Sequence, residues 1–324
     1  MHFTTYLQIH ALIEEQIACY RFGTTPATLY DPIHYFMSLG GKRLRPVLVM
    51  MSNDLFGGKP QQAVHTALAV EVFHNFTLVH DDIMDKAELR RGKPTVHTKW
   101  NETVAILSGD LMMIKAIELL SQSEPAVFPQ LLKVFNAAAI GVCEGQQLDM
   151  DFELREKVSV DEYIHMITLK TAVLLGASLQ LGAITAGASE HDAALMYEFG
   201  KNIGIAFQIQ DDLLDTFGDS ASVGKTIGGD IAANKKTLLM VEARNRANEQ
   251  ELKELNALLK STETVSKISG TINLFNRLDI RSICEKHKEN YLKVAYEKLD
   301  SVSVSQERKS LLVSSAMELM NRIS

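Results

Sequence analysis

Residues 74–91 of the chain read His74-Asn-Phe-Thr-Leu-Val-His-Asp81-Asp82-Ile-Met-Asp85-Lys-Ala-Glu-Leu-Arg90-Arg91. The central pattern, DDIMD, returns 130 residues later as DDLLD, with its aspartates at Asp211, Asp212 and Asp215. Each residue of an α-helix advances about 100°, so positions i, i+1 and i+4 lie within one third of the circumference. Each pattern therefore predicts a helix with three carboxylates on one face. We name Asp81, Asp82 and Asp85 the first triad, and the later three the second triad.

Two such acidic faces predict a binding site for divalent cations. Like charges about 4 Å apart repel by roughly 4 kcal/mol at an effective dielectric constant near 20. Carboxylates that face one another must raise their pKa values or bind cations. Mg²⁺ suits this arrangement, because it takes one or two carboxylates and completes its shell with water and substrate phosphate. The triads thus predict a site that holds a diphosphate through Mg²⁺. A single triad, in contrast, is also compatible with a solvated helix surface.

The pattern of apolar residues predicts one all-α domain that spans residues 1–324. All seven prolines lie at or before Pro129, and long apolar stretches without proline favour long helices. The helix with the first triad is predicted from about Gln61 to Lys86, followed by a loop over residues 90–94. A capping box, in which Ser159 caps and Glu162 reaches back, predicts another helix start.

Bulk composition excludes several classes of protein. The net charge of −7 argues against a nucleic-acid partner. Three cysteines, odd in number and scattered, indicate a reduced, cytoplasmic protein rather than a disulfide framework. The longest uncharged run, residues 171–189, contains Gln180 and several small residues. It predicts a buried core helix, and we expect no transmembrane span.

Basic residues cluster around glycine breaks, where they could bind the same phosphates. Arg binds phosphate oxygens in pairs and Lys supplies a point charge. Arg90 and Arg91 follow Asp85 closely, and His74 lies two helical turns before Asp81 on the same face. Gln208 lies three residues before Asp211. The alternative is that these residues only solvate helix ends or lie in the core. The basic residues are Lys42, Arg43, Arg45, Arg90, Arg91, Lys93, Lys225, Lys235 and Lys236.

Taken together, the motifs resemble those of the trans-type polyprenyl diphosphate synthases. The resemblance covers about residues 36–240, in the order and spacing of that family. The motifs are GGKRLRP at 40–46, HDDIMD with LRRGKPTVH at 80–97, GQQLD at 145–149, LKTA at 169–172, FQIQDDLLD at 207–215 and GKTIGGDIAANKKT at 224–237. The resemblance implies a single large helical bundle of the isoprenoid synthase type, with a central active-site cavity.

The resemblance also implies a role for each motif residue. Both triads would hold Mg²⁺, three ions in all, on the diphosphate of an allylic substrate. Residues that would bind this diphosphate directly are Arg90, Lys170, Lys225 and Lys235. A metal-free pocket for isopentenyl diphosphate would contain Lys42, Arg45, His74 and Arg91. Thr171 and Gln208 would lie beside the developing allylic cation, and Gln146 and Asp149 would support the site.

Product length is implied by the two positions before the first triad. Phe76 and Thr77 lie five and four residues before Asp81, and a bulky aromatic followed by a small residue is similar to the geranylgeranyl (C20) pattern. Farnesyl (C15) and C25 products remain alternatives. The growing chain is expected in an apolar tunnel near Phe73, Phe76, Ala105, Leu107 and Met112.

Two other functions are compatible with a helical bundle that carries aspartates. A class I terpene cyclase would lack GGKRLRP and would replace the second triad with a mixed metal site. A non-catalytic subunit of a prenyltransferase would have lost motif residues, and none is missing here. The family also implies a homodimer.

Overall fold

The computed structural model describes residue 3, residues 5–218 and residues 228–321, and its regular structure is almost entirely helical. The first seven helices are α1 (Tyr6–Cys19), α2 (Ala27–Ser38), α3 (Leu44–Leu55), α4 (Pro60–Met84), α5 (Val96–Lys99), α6 (Glu102–Leu120) and α7 (Phe128–Leu154). Next come α8 (Val160–Ile167), a π-helical turn (Thr168–Ala172), α9 (Val173–Thr185), α10 (Glu190–Phe217) and α11 (Gly229–Ala232). The last five are α12 (Leu238–Arg246), α13 (Glu249–Lys260), α14 (Thr264–Arg277), α15 (Ile280–Asp300) and α16 (Gln306–Asn321).

The described chain divides into two compact units. The first contains Met1–Asn136, Ala177–Met196 and Ser303–Leu311. The second contains Ala137–Gly176, Tyr197–Val302 and Leu312–Ser324. The prediction of one domain over residues 1–324 stays a prediction.

In the first unit, helix α4 lies among α1, α2, α3 and α6. Its length agrees with the prediction from Gln61 to Lys86 to within two residues. On α1, Ile9, Ile13 and Ile17 recur every four residues and are buried, which gives the helix one apolar face. Burial of such faces, rather than intrinsic helix propensity, supplies most of the stability of these helices.

The predicted loop after the first triad contains a short antiparallel hairpin. Strand β1 (Leu89–Arg90) pairs with β2 (Lys93–Pro94), with Arg90 opposite Lys93. The two residues between them, Arg91 and Gly92, both have positive φ angles, as a tight two-residue hairpin turn requires. The sequence predicts only a loop over residues 90–94, because strands of two residues are too short to show an alternating pattern.

In the second unit, the predicted capping box begins α8. Ser159 Oγ accepts from the Glu162 backbone N–H at 3.2 Å, and Glu162 Oε2 accepts from the Ser159 backbone N–H at 2.8 Å. Helix α8 shares a core of buried apolar side chains with α10, α12, α14 and α15.

One helical run, Val160–Thr185, is long and apolar enough to cross a membrane by length and composition. In the most apolar stretch of 18 residues within this run, 72% is buried inside the protein. This burial is typical of a core helix, as predicted for the run 171–189.

Candidate active site

The first triad lies at the C-terminal end of α4, and its members differ in exposure. Asp85 is exposed and Asp81 is partly exposed, whereas Asp82 is only 1% exposed. Arg90 Nε lies 2.9 Å from both carboxylate oxygens of Asp82, and Arg90 Nη2 lies 2.7 Å from Oδ1. Asp82 thus holds Arg90 beside the triad, in a charge-assisted pair of hydrogen bonds.

The residues predicted to bind isopentenyl diphosphate form what we name the cationic cluster: Lys42, Arg45, His74 and Arg91. Arg45 Nη1 lies 2.9 Å from His74 Nε2. An arginine can only donate, so His74 Nε2 accepts and the imidazole is neutral. Burial and the positive charge of Arg45 hold the pKa of His74 well below its usual range. Burial also lowers the pKa of Arg45 to about 10.

The glycine pair before Lys42 gives Arg91 its place. Arg91 Nη1 donates to the Gly40 carbonyl. A Cβ atom on Gly41 would lie 2.8 Å from Arg91 Nη2, and Gly41 has a φ angle of +145°. This φ angle is one that residues with a side chain rarely adopt, which favours glycine at this position. The next residue, Lys42, is exposed.

The neighbouring Arg43 points away from the cationic cluster and into the first unit. Its side chain is 1% exposed, with Nη1 2.7 Å from Glu71 Oε1 and Nε 2.8 Å from Glu14 Oε1. Its Nη2 donates to the Met37 carbonyl at 2.8 Å. Arg43 therefore neutralises a buried carboxylate instead of binding a ligand.

In the second triad, Asp212 is 3% exposed and fully hydrogen-bonded. Its Oδ2 accepts from the Tyr163 hydroxyl and from the Leu238 backbone N–H at 3.2 Å, and its Oδ1 accepts from Gln208 Nε2 at 3.3 Å. Burial raises the pKa of Asp212 to about 7, against the effect of these donors. The same burial, together with Asp212, raises the pKa of Tyr163 well above its ordinary value.

A pocket of about 220 Å³ opens beside the second triad. Its walls carry both carboxylates and amines, so an anion could be held there directly or through a cation. The lining residues are Asp149, Tyr163, Met166, Ile167, Lys170, Thr171, Gln208, Asp211, Asp212, Asp230, Lys235, Lys236 and Thr237. Six residues predicted as site members, Lys170, Thr171, Gln208, Asp211, Asp212 and Lys235, lie together here.

Lys170 and Thr171 lie on the π-helical turn. The ammonium group of Lys170 pairs with Asp149 Oδ2, and Thr171 Oγ1 lies 3.3 Å from Gln208 Oε1. Asp149 thus holds the ammonium group of Lys170 at the pocket, and its predicted supporting role stays a prediction.

Asp215 does not line this pocket. Its Oδ2 accepts from the Asp230 backbone N–H at 3.0 Å, and its carbonyl accepts from the Gly228 N–H at 2.7 Å. These bonds fix the start of α11. Lys225, predicted to bind diphosphate, lies outside the described residues. Lys235 Nζ lies 3.5 Å from Asp230 Oδ1 and is largely exposed.

The two residues that were expected to set product length lie in the first unit. The Phe76 ring contacts His80 edge-on at 4.8 Å and Phe73 at 5.6 Å, between ring centroids. Thr77 Oγ1 donates to the His74 carbonyl of its own helix at 2.8 Å. Phe73, Ala105 and Met112 of the expected tunnel are buried, whereas Leu107 is exposed. The tunnel itself stays a prediction.

Sequence reasoning did not identify Tyr163 and Asp230 as members of the site. Tyr163 lies seven residues before Lys170, two helical turns along the same face, and that spacing is a signal that could have revealed it. Asp230 directly follows Gly228 and Gly229, and a pair of glycines predicts only a loop. A fold is needed to bring it to Asp215.

The carboxylates of the two triads fit magnesium better than a metal that takes all its ligands from the protein. Among the described residues, no three His, Cys, Asp or Glu side chains converge as a ready-made metal site. Mg²⁺ usually binds one or two carboxylates and takes its other ligands from water and substrate phosphates. Exposed Asp211 and Asp85 are donors of this kind.

Comparison with known proteins places these residues in a family. The model of the polyprenyl synthetase family matches residues 26–275, which include every predicted site residue. The chain belongs to the polyprenyl synthetase family. The resemblance seen in the motifs is therefore confirmed, as is the all-α isoprenoid synthase fold, and the chain is a prenyltransferase.

Three members of the polyprenyl synthetase family show how close the similarity is. The short chain isoprenyl diphosphate synthase of Methanothermobacter thermautotrophicus is 38% identical over 89% of this chain and 88% of its own length. The geranylgeranyl diphosphate synthase of Sulfolobus acidocaldarius is 39% identical over 90% and 89%. A crystal structure of a geranylgeranyl pyrophosphate synthase superposes with a TM-score of 0.94 at 43% identity, covering 99% of this chain and all of the other.

Proposed function

We propose that this prenyltransferase condenses isopentenyl diphosphate with an allylic diphosphate and releases pyrophosphate, with geranylgeranyl diphosphate (C20) as the main product. The observation that carries the proposal is the pocket beside the second triad. Its lining combines carboxylates with the amines of Lys170, Lys235 and Lys236, and Thr171 and Gln208 line the same pocket. The names of the relatives support the C20 product.

Magnesium fits the exposed members of the triads. Asp81 and Asp85 at the end of α4 and Asp211 on α10 would hold the ion. Asp215 lies four residues after Asp211 on α10. Asp82 and Asp212, which are buried and already bonded, are better suited to fix Arg90 and the pocket wall than to bind a metal. When bound, Mg²⁺ supplies positive charge that stabilises the departing pyrophosphate.

The residues of the chain handle the remaining charges in the reaction. Lys170, Arg90 and Lys235 bind oxygens of the allylic diphosphate, so that the electrons of the allylic C–O bond leave with pyrophosphate. Thr171 and Gln208 present neutral oxygen atoms to the allylic cation. The double bond of isopentenyl diphosphate then forms the new C–C bond. The proton lost from its C2 goes to the released pyrophosphate, so no protein nucleophile is needed.

The cationic cluster is proposed to bind isopentenyl diphosphate without metal. The buried Nε atom of Arg45 has no hydrogen-bond partner among the described residues, and a phosphate oxygen would satisfy it. The two nearby carboxylates, Glu14 and Glu71, are already paired with Arg43. The cluster therefore keeps a net positive charge for a diphosphate.

We propose a cytoplasmic homodimer. Helix α6 of the first unit exposes Ile106, Leu107 and Ile114, apolar side chains that a second copy could cover. Sedimentation analysis at micromolar concentration tests this, since a single species at the monomer mass would contradict it.

The function is tested by incubating the purified protein with Mg²⁺, isopentenyl diphosphate and an allylic diphosphate, followed by mass analysis of products. We expect pyrophosphate and a C20 prenyl diphosphate. Asp81→Ala and Asp211→Ala should lower kcat at least about 100-fold, as loss of electrostatic stabilisation does. Asp31→Ala, which removes an exposed carboxylate of α2, is the control.

Other outcomes of this assay identify the alternatives. A C15 or C25 main product would change only the product assignment. A hydrocarbon formed from a single substrate would indicate a cyclase. No turnover without a second protein would indicate a non-catalytic subunit.

A further inference from the structure

The π-helical turn Thr168–Ala172 interrupts an otherwise continuous helical run from α8 to α9. Such turns contain one residue more than an α-helical turn and occur frequently at functional sites. This one carries Lys170 and Thr171, both of which line the pocket. What holds the widened turn in place decides where these two side chains lie.

On one side, the backbone of the turn packs against Gly145 of α7. A Cβ atom on Gly145 would lie 2.6 Å from Lys170 Cα, well inside the 3.5–4.0 Å at which carbon atoms normally pack. One helical turn later, at i+4 on the same face, Asp149 accepts the hydrogen bond from the Lys170 ammonium group.

On the other side, α10 repeats the same arrangement. A Cβ atom on Gly204 would lie 2.7 Å from Ala172 Cα. One turn later, again at i+4, Gln208 Oε1 lies 3.3 Å from Thr171 Oγ1. Each helix therefore supplies a slot for the backbone of the turn and, one turn on, a polar partner for one of its side chains.

We propose that Gly145 and Gly204 are positioning residues, whose missing side chains seat the π-helical turn so that Lys170 and Thr171 reach the allylic diphosphate. The inference rests on the proposed function of Lys170 and Thr171. A methyl group at either glycine would meet backbone atoms, which cannot rotate away, so the turn must shift by a distance comparable to the overlap.

The test compares Gly145→Ala and Gly204→Ala with a matched control, Gly141→Ala. Gly141 lies one turn before Gly145 on α7 and faces the same segment. Its added Cβ would meet only the ends of flexible side chains, Val173 Cγ2 at 3.3 Å and Leu169 Cδ2 at 3.4 Å. We expect kcat to fall about 100-fold in the first two variants, as misplacement by about 1 Å can cause. Gly141→Ala should stay close to wild type.

A double-mutant cycle separates positioning from a general loss of structure. If Gly145 acts through Lys170, the Gly145→Ala change should cost little in a Lys170→Ala background, because the group to be positioned is gone. Calorimetry, which measures the binding of Mg²⁺ with pyrophosphate to each variant, gives a second readout. The inference would be overturned if the losses in kcat from Gly145→Ala and Lys170→Ala multiplied in the double mutant. Equal activity of the three glycine variants would also overturn it.

Far-UV circular dichroism and melting curves accompany each variant. Loss of the fold in both Gly145→Ala and Gly204→Ala would mean that the glycines serve only helix packing, and would also overturn the inference. A wild-type protein that makes no prenyl diphosphate would instead defeat the proposed function.

Discussion

Asp82 and Asp212 occupy the same position in their two motifs, and both are buried with both carboxylate oxygens bonded. Their neighbours at the first position, Asp81 and Asp211, are more exposed. A helix places all three carboxylates within one third of its circumference, yet one of them lies at the edge that packs against the protein. At the scale of the residue, each motif thus separates into outward carboxylates and one inward anchor.

His74 is predicted to make the free protein less stable in weak acid. Its pKa is lowered in the folded state, whereas an unfolded histidine titrates near 6.5. Below that pH the unfolded state binds a proton that the folded state does not, so stability is lost as pH falls through 6.5 and is fully present above it. The contribution of one such group is at most about 1.4 kcal/mol per pH unit.

Urea unfolding between pH 8 and pH 5.5 measures this effect. His74→Gln keeps an oxygen for Arg45 and should flatten the dependence below pH 6.5. His165→Gln, at an exposed histidine of α8, is the control. Equal slopes for wild type and His74→Gln would show that His74 does not carry the acid sensitivity.

Phe76→Ser is predicted to lengthen the product beyond that of the wild type. Removal of the ring deletes the contacts with Phe73 and His80 and opens space on α4 for further isoprene units. Products are measured by mass after incubation with excess isopentenyl diphosphate. Phe3→Ser, far away in sequence, is the control, and an unchanged product would mean that another residue limits the chain.

At the scale of the element, the residue before α3 is bonded to three other helices. Arg43, immediately before α3, has a φ angle of 45°, in the left-handed region that non-glycine residues seldom adopt. Its guanidinium group bonds to α1 through Glu14, to α2 through Met37 and to α4 through Glu71. This fixed start sets the direction in which Lys42 and Arg45 on either side can point.

Arg43→Met is predicted to lower the free energy of unfolding by about 3–5 kcal/mol, because it leaves Glu71 buried without its cation. Chemical denaturation measures the loss. Arg277→Met breaks a pair of similar length, 2.6 Å, that is exposed on the surface, and should cost less than about 1 kcal/mol. Equal losses for the two variants would contradict a special role for the buried pair.

At the scale of the whole molecule, both triads are proposed to act on one diphosphate. Mg²⁺ and pyrophosphate together should therefore raise the melting temperature, whereas either alone should have little effect. At 100 times Kd a ligand adds about 2.7 kcal/mol, or roughly 5 °C for a chain of this size.

Asp81→Ala and Asp211→Ala should each abolish most of this thermal shift, and the exposed-carboxylate variant Asp31→Ala should retain it. If each triad variant kept the full shift, the ligand would bind without that triad. The shared assignment would then be wrong.

Much of this protein could be predicted from its sequence, because the features concerned are local. The i, i+1, i+4 spacing predicted two acidic helix faces, the absence of proline after residue 129 predicted long helices, and Ser159 with Glu162 predicted a helix start that the structure confirms. Motifs in a fixed order were sufficient to indicate the family.

Only the tertiary structure decided which charges turn inward. Arg43 and Arg45 are two residues apart in one basic motif, yet Arg43 neutralises Glu71, whereas Arg45 contacts His74. The π-helical turn at Lys170 depends on glycines 25 and more residues away, and Asp230 bonds to Asp215 although 15 residues separate them. Spacing along a helix fixes the direction of a side chain relative to its own axis. Burial and pairing depend on what other elements place against it, and that is settled only when the chain is folded.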